Sequence, residues 1–388
     1  MKKILFISPS LRQGGVEHSL VTALSVLDLS KYSITLYTYT DMMDLLPRVP
    51  VGITVINGVD RTKYFRKPLS ILLLLIYYLM KFIGLRKYAD RIQNRMYKYI
   101  HKLKVEYPYK KYFRKKEFDV VVSYSLHIGT EMSLKIKANK HYVFMHSSDP
   151  TYHYETLSKT IADMDKIVCV SEGVKQVYQS VFEKHFDKFM VINNYVDAQQ
   201  IIKKSKEPFV FEKGNKIILC SCGRLSEEKG FDLAVEAAHI LKEKGIDFIW
   251  YFIGDGAVRK SIESLIDKYD LNDYVIITGF KENPYPYIKN SDIYVQPSYQ
   301  EAQPLVILEA MSLGKAVVST KTVGGKYILK DGKEGVLVDF DGEAIADGII
   351  SLAEDDELRK SFENLYTLED NLKEKQIYID KLEELLQE

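Results

Sequence analysis

The fold is decided by residues 296–311, QPSYQEAQPLVILEAM, which follow the run DIYV at residues 292–295. A short run of β-branched and aromatic residues, then polar residues, then an apolar pattern of helical period predict a strand, a loop and a helix. Pro304 suits the first helical position because its missing N–H would be unpaired there. The free N–H groups of the helix start, with Leu305 among its first residues, predict a binding site for a phosphate.

Two carboxylates flank this predicted helix start. Glu301 stands in the loop, and Glu309 follows eight residues later. An acid beside an anion site makes electrostatic sense if it binds hydroxyls or positive charge, as on a sugar. The spacing resembles the E-x7-E signature of the retaining glycosyltransferases of family 4, which have the GT-B fold. The resemblance implies that Glu301 lies at the transferred sugar and that Glu309 binds the ribose of the nucleotide. The spacing alone also fits two exposed carboxylates beside an ordinary helix start.

Composition bounds the class of protein. The chain has 388 residues, 46% of them hydrophobic and 28% charged, which suits a soluble protein of two domains. The three cysteines, with no metal-ligand spacing, predict reduced thiols in a cytoplasmic protein. The short apolar run after Met1 predicts a first strand and not a signal peptide.

Strand-like runs alternate with helical stretches along the whole chain, which predicts an α/β fold with parallel sheets. The pattern restarts after a charged linker at residues 203–208. We therefore predict a GT-B architecture of two Rossmann-like domains that face each other across a cleft, at residues 1–198 and 207–365. Residues 366–388 are predicted to form a helix that packs back on the first domain through a stripe of Leu372, Ile379 and Leu386.

The first domain offers two candidate ligand-binding elements. Gly14 and Gly15 open the first helix, and paired glycines let the backbone approach a ligand closely. This G-G-x-E form resembles the family 4 loop that faces the donor phosphates and the acceptor, although a bare tight turn would look the same. His146 follows a predicted strand, and the resemblance implies that it lies against the donor sugar. A histidine satisfied by neighbouring backbone is the alternative.

The second domain carries the motif GRLSEEKG at residues 223–230. It resembles the G-R-L-x-x-x-K-G motif of family 4, which implies that Arg224 and Lys229 bind the donor diphosphate. Two cations opposite a helix N-terminus can neutralise a pyrophosphate leaving group, whereas a solvated surface pair is the alternative. The resemblance further implies that residues 278–280 supply backbone contacts to the nucleotide base. The remaining donor-binding candidates are Gly254, Gly279, Phe280, Ala302, Gln303 and Pro304.

These features predict a retaining glycosyltransferase that moves a hexosyl or N-acetylhexosaminyl unit from a nucleoside-diphosphate sugar, UDP-linked by expectation, to form an α-linkage. The catalytic candidates are Glu301, His146, Arg224 and Lys229. No metal and no other cofactor are expected, since the cations Arg224 and Lys229 are expected to occupy the place of Mg²⁺. A nucleotide-sugar epimerase and a phosphorylase fit the motifs less well. A non-catalytic nucleotide-sugar-binding partner subunit is the alternative from another class.

Residues 61–116 hold an excess of basic charge. They contain 17 Lys and Arg against two acids, a net charge of 17 − 2 = +15, while the whole chain carries +1. The apolar run at 71–80 is too short to span a bilayer of about 30 Å, so an interfacial helix fits better. We predict that this segment docks the enzyme on an anionic membrane, peripherally on its inner face, and that the acceptor is a lipid-linked saccharide of a bacterial surface polysaccharide. Nucleic-acid binding is not expected, and a buried core helix with a basic flank remains the alternative.

Overall fold

A computed structural model provides the structure of the chain. It describes residues 1–58, 76–80, 83, 91, 104–126, 128–208, 216–363 and 365–388. Most of the basic segment 61–116, including much of the predicted membrane-docking stretch, therefore lies outside the described residues.

The first domain is built on a parallel sheet of seven strands in the order β3-β2-β1-β4-β5-β6-β7. Its strands are rich in Val, Ile, Phe and Tyr, as befits strands buried on both faces. They are β1 Lys2–Ser8, β2 Tyr32–Thr38, β3 Thr54–Asn57, β4 Glu117–Ser123, β5 Lys137–Met145, β6 Lys166–Cys169 and β7 Phe189–Val191. The helices of this domain are Gly15–Val26, Ile128–Ser133, Pro150–Thr160 and Glu172–Val181.

The second domain is built on a parallel sheet of six strands in the order β10-β9-β8-β11-β12-β13. The strands are β8 Ile217–Cys222, β9 Phe248–Ile253, β10 Val275–Gly279, β11 Ile293–Gln296, β12 Ala316–Thr320 and β13 Val336–Val338. The helices are Phe231–Glu243, Arg259–Lys268, Tyr285–Asn290, Leu305–Ser312, Val323–Ile328, Gly342–Glu354 and Asp356–Phe362. The predicted α/β fold with two parallel-sheet domains is confirmed.

The helix Ala198–Lys204 connects the two domains. Val196 and Ile201 are buried in one apolar cluster with Ile307 and Leu308 of the second domain. The apolar face of this short helix is therefore buried in the core of the second domain, although the helix precedes the end of the charged linker.

The last helix, Leu368–Gln387, returns to the first domain. Its buried apolar residues Tyr378, Leu382, Leu385 and Leu386 belong to the first domain's core. Asn371 is buried as well and hydrogen-bonds the backbone of the connection, with its amide nitrogen 2.8 Å from the Val196 carbonyl. The helix thus ties the end of the chain to the first domain and to the connection between domains.

The buried stripe of this helix differs from the predicted one. Leu372 is 49% exposed and Ile379 is half-buried, and only Leu386 of the predicted stripe is fully buried. The polar Asn371 takes the interior position in place of Leu372, because the backbone of the connection between domains needs hydrogen-bond partners there. In the part of the chain that the structure describes, no helix is long and apolar enough to cross a membrane.

Candidate active site

The candidate site lies where the strand order of the second sheet reverses. The loop 223–230 follows β8 and the loop 297–304 follows β11, and these two strands are neighbours in the sheet. The carboxyl ends of parallel strands share one edge, so both loops lie at the same edge of the sheet. Ligands of doubly wound sheets bind at such a switch point.

Lys229 and Glu301 form the centre of this site. The Lys229 Nζ lies 2.6 Å from Oε1 of Glu301, a carboxylate that is only 9% exposed. Gln296 Nε2 and the Ser298 hydroxyl donate to the same oxygen at 3.1 and 3.0 Å. Among the residues that the structure describes, none donates to Oε2, so that oxygen retains its capacity to accept a hydrogen bond from a substrate hydroxyl.

A glycine brings Lys229 to this position. Gly230 has φ +64, and a Cβ on it would lie 2.0 Å from the Pro297 carbonyl oxygen. Any larger residue would strain the backbone and push the two loops apart. Sequence reasoning placed Gly230 in the motif without a role of its own. Its role is to seat the Lys229 turn directly on the loop that carries Glu301.

Arg224 stands apart from this pair. Its side chain is exposed, and no described residue accepts a hydrogen bond from its guanidinium. The structure therefore brings only Lys229 of the two predicted cations into contact with Glu301. Arg224 keeps all its side-chain donors available for an anion.

The helix after the loop begins at Leu305, with Pro304 as its N-cap in an extended conformation, φ −73 and ψ 97. The predicted helix start is thus one residue early, because Pro304 caps the helix and does not join it. None of the described residues accepts from the backbone N–H groups of Ala302, Gln303, Leu305 or Val306. These groups are the orphan donors of a helix start, and they can bind an anion or a sugar hydroxyl.

The side chains of Ala302 and Gln303 face the first domain. The Ala302 carbonyl accepts from the Ser171 hydroxyl at 2.9 Å. The Gln303 side chain makes two hydrogen bonds with the Asn194 backbone, accepting from its N–H at 2.6 Å and donating to its carbonyl at 3.2 Å. The Ala302 carbonyl and the Gln303 side chain are therefore used in contacts between the domains. The backbone N–H groups of these two predicted residues are what they can offer to a nucleotide-sugar donor.

Glu309 lies in the same helix in a different environment. It is partly exposed, and the Tyr285 hydroxyl lies 3.3 Å from its Oε1. Desolvation by burial raises the pKa of Glu309 to about 7, although the Tyr285 hydrogen bond and the charge of Lys204 oppose the rise. Hydrogen bonds from hydroxyl groups stabilise the ionised form of a partly buried carboxylate, so Glu309 is suited to bind the hydroxyls of a ribose. No sequence motif pointed to Tyr285, which stands 24 residues before Glu309.

His146 follows β5 in the first domain. Its Nε2 is buried and makes no hydrogen bond with the described residues, and its ring lies 4.9 Å from the ring of Tyr124. Burial lowers the pKa of His146 to about 3, so the imidazole is neutral. No described contact joins His146 to Lys229, Glu301 or Glu309. A neutral ring with an unused nitrogen can bind a hydroxyl, as the predicted contact with a sugar requires.

The first helix opens at the predicted glycines. Gly14 is the N-cap and Gly15 the first helical residue, and a Cβ on Gly15 would meet nothing within 4 Å. Behind them the buried Glu17 accepts from Ser10 at 2.5 Å and from Arg12 at 3.2 Å. Sequence reasoning gave Glu17 no role, yet its contacts hold the loop after β1 in shape.

The remaining predicted donor-binding residues lie at the carboxyl ends of β9 and β10. Gly254 has φ +156, and a Cβ on it would lie 1.8 Å from the Gly223 carbonyl, so this glycine permits the close approach of two loops. Gly279 has φ +72, and Phe280 after it is 58% exposed. An exposed ring beside a left-handed turn can stack on a base. No cluster of three metal-binding side chains occurs among the described residues.

Comparison with known proteins agrees with this geometry. Residues 202–365 match the model of the family described as glycosyl transferases group 1. The chain is 27% identical over 207 residues to the lipopolysaccharide core biosynthesis glycosyltransferase LpsE of Rhizobium meliloti, which covers 53% of this chain and 59% of that protein. It is 30% identical over 179 residues to an N-acetylgalactosamine-N,N'-diacetylbacillosaminyl-diphospho-undecaprenol 4-alpha-N-acetylgalactosaminyltransferase of Campylobacter jejuni, covering 46% and 47%. The chain thus spans about half the length of the relatives it matches.

Solved structures match over the full length. Anabaena Alr3699/HepE in complex with UDP and glucose superimposes with a TM-score of 0.69 at 17% identity, covering 100% of this chain and 98% of that one. The trehalose-6-phosphate synthase OtsA gives a TM-score of 0.70 at 14% identity, covering 98% and 99%. At such low identity these matches bear on the fold alone. The chain has the predicted GT-B fold, and its second domain matches the glycosyl transferases group 1 family.

Proposed function

We propose that the protein is a retaining glycosyltransferase that uses a nucleoside-diphosphate sugar. The observation that carries the proposal is the Lys229–Glu301 pair beside the unpartnered N–H groups at the start of the helix Leu305–Ser312. A diphosphate needs cations and N–H donors, whereas the hydroxyls of the transferred sugar need hydrogen-bond acceptors. Lys229 and the helix start supply the first, and the Glu301 carboxylate supplies the second. Arg224 adds a second cation with free donors.

The proposed donor is a UDP-sugar carrying a hexosyl or N-acetylhexosaminyl unit. Glu309 would accept from the ribose hydroxyls, and Phe280 would stack on the base. The likeness in fold to a protein solved with UDP and glucose supports a uridine nucleotide. In the reaction, Arg224, Lys229 and the helix start would stabilise the leaving diphosphate, which takes the acceptor proton on the same face as it departs. Glu301 and the neutral His146 would hold the sugar hydroxyls, so that an α-linkage forms with retention.

The proposed acceptor is a lipid-linked saccharide of a bacterial surface polysaccharide. The relative from Campylobacter jejuni carries a diphospho-undecaprenol acceptor in its name, and LpsE is named for lipopolysaccharide core synthesis. We further propose that residues 61–116 hold the enzyme at the inner face of the membrane. In the described part of this segment Tyr78 and Leu79 are 63% and 59% exposed. Such residues beside many cations suit an anionic lipid surface.

Donor screening tests the proposed reaction. The protein is incubated with UDP-glucose, UDP-galactose and their N-acetylhexosaminyl counterparts, and release of UDP is measured with and without membrane extract that supplies acceptor. Turnover of at least one donor is expected, and Lys229→Ala should abolish it while the exposed control Lys260→Ala should not. Tight UDP binding without any turnover would support the partner-subunit alternative, and the absence of both would reject the proposal.

Sedimentation with liposomes tests the membrane proposal separately. Binding should require anionic lipid, weaken with salt and drop in a Tyr78→Ser/Leu79→Ser variant. The matched control is Leu372→Ser/Ile377→Ser, which removes two apolar side chains of similar exposure from the last helix. Equal recovery of wild type in the supernatant with and without anionic vesicles would reject docking.

A further inference from the structure

A second cavity opens at the opposite end of the first sheet from the cleft. It has a volume of about 480 Å³ and lies between the amino ends of β1, β2 and β4. Its volume falls in the range of about 300 to 1,000 Å³ that is common for small-molecule sites. We call it the amino-end cavity, and the polar residues that line it are Lys3, Ser33, Thr35, Lys115, Lys116 and Glu117.

The charge of the amino-end cavity is positive. Lys3, Lys115 and Lys116 are exposed, and none of them makes a side-chain ion pair with the described residues. The carboxylate of Glu117 is already paired, because the Lys137 Nζ lies 2.5 Å from it. Asp119 on β4 adds a second carboxylate beside Lys3, where it accepts from the Lys3 N–H and from the Asn139 amide. The three lysines make no ion pair with the described residues, and they outnumber the carboxylates of Glu117 and Asp119 at this cavity.

The neighbouring lysine shows what a structural role would look like. Lys2 points to the other face of β1, where its Nζ donates to the carbonyls of Leu386 and Gln387 at 3.2 and 2.6 Å. It thereby caps the end of the last helix. Lys3 is one residue further along the strand and so faces the opposite side of the sheet. There its backbone N–H donates to Asp119 Oδ2 at 2.7 Å, but its Nζ makes no hydrogen bond or ion pair with the described residues.

We propose that the amino-end cavity binds a phosphate-bearing group, either the headgroup of an anionic lipid or a small free phosphate compound. Ammonium groups supply charge to phosphate oxygens, and the hydroxyls of Ser33 and Thr35 on β2 supply further donors. The described basic residues Lys110, Lys111 and Arg114 are exposed nearby in sequence and extend the same positive surface. The inference does not rest on the proposed glycosyl transfer, since the cavity and the cleft lie at opposite ends of the strands. Its lipid form deepens the proposed membrane docking of residues 61–116, which include Lys115 and Lys116, whereas its free-phosphate form stands without that docking.

The test compares two variants with the same change of charge. The cavity variant is Lys3→Gln/Lys115→Gln/Lys116→Gln. The control is Lys260→Gln/Lys333→Gln/Lys360→Gln, three exposed lysines of the second domain whose ammonium groups make no hydrogen bond or ion pair with the described residues. A Lys115→Gln/Lys116→Gln variant, altered only in the turn before β4, serves if the change in β1 impairs folding. One arm measures partition onto phosphatidylcholine vesicles with and without phosphatidylglycerol. The other measures the midpoint of thermal unfolding with inorganic pyrophosphate against sodium chloride at equal ionic strength.

The two sources of phosphate give different results. For a lipid headgroup, the cavity variant should lose at least about fivefold in partition onto phosphatidylglycerol vesicles relative to the control variant. For a free phosphate compound, pyrophosphate should raise the midpoint of wild type and control by several degrees but not that of the cavity variant. Equal behaviour of the cavity and control variants in both arms would overturn the proposal.

Discussion

Glu301 and Glu309 are the same residue type eight positions apart, yet the fold treats them in opposite ways. Glu301 receives an ammonium group and two neutral donors on one oxygen. Glu309 has no ion pair with the described residues and one hydrogen bond at 3.3 Å, and burial raises its pKa to about 7. One carboxylate is therefore held by three donors before any ligand arrives, whereas the other, whose pKa is raised, becomes an anion more readily when a ligand supplies hydroxyl donors.

The difference indicates two distinct tasks. A carboxylate that three donors already orient, as at Glu301, can hold a sugar in one geometry without reorganisation. A carboxylate that is neutral for part of the time near neutral pH couples binding to the release of a proton. The predictions that follow test this contrast between the two residues.

The largest effect is expected for Lys229→Ala. This substitution removes a charge from the proposed diphosphate site and leaves the Glu301 carboxylate buried without its cation. We expect kcat/KM to fall by about a hundredfold or more, and the free energy of unfolding to fall by about 2 to 3 kcal/mol. Steady-state kinetics and urea unfolding measure the two changes.

The double variant Lys229→Met/Glu301→Gln serves as the control for the first prediction. It removes both charges, so stability should return towards wild type while activity stays low. If the double variant regained activity, the pair would be structural and not part of the reaction.

Arg224→Ala and Glu309→Ala are expected to weaken donor binding or turnover by at least about tenfold each, with the fold intact. Each change removes one charged contact to the donor, worth about 1.4 kcal/mol or more. Binding of UDP by calorimetry and kinetics with the identified donor measure the effect. Wild-type values in both variants would contradict their assignment to the donor site.

The pH dependence of UDP binding separates Glu309 from Glu301. Because the pKa of Glu309 is raised to about 7 and ribose hydroxyls bond the ionised form, UDP affinity should rise between about pH 6 and 8. Glu309→Gln should remove this rise and leave affinity nearly flat. A wild-type affinity that is already flat over this range, measured by calorimetry, would contradict the role of Glu309.

Stability should show the opposite dependence on pH. The folded state binds more protons than the unfolded state between the ordinary pKa of 4.5 and about 7, so ionising Glu309 costs stability as pH rises through this window. Glu309→Gln should therefore gain about 1 to 2 kcal/mol in the free energy of unfolding relative to wild type between pH 5 and 8. Urea unfolding at the two pH values checks the sign.

The smallest effect is expected for removal of metal ions. In the proposed donor site Arg224 and Lys229 would supply the positive charge that Mg²⁺ gives in other nucleotide sites, so EDTA should change activity by less than about twofold. Activity lost on chelation and restored by Mg²⁺ or Mn²⁺ would show that the two cations do not suffice.

The sequence by itself determined the fold class and the location of the candidate site. Strands of period two alternate with helices of period 3.6, and this local pattern also fixes which loops leave the carboxyl ends of strands. The periodicity placed residues 223–230 and 296–311 after strands, and their resemblance to family 4 motifs implied that both meet the donor. Local residue choice, such as Pro304 before an apolar helix, was enough to place the helix start within one residue.

Tertiary structure alone decided how these residues are used. Gln303 meets Asn194 across 109 residues, Glu301 meets Lys229 across 72, and Asn371 displaces Leu372 from the buried face of the last helix. Such partners depend on how two domains and a returning helix pack, which no periodicity encodes. The different states of Glu301 and Glu309 follow from burial and from neighbours that are distant in the chain, and these exist only once the chain has folded.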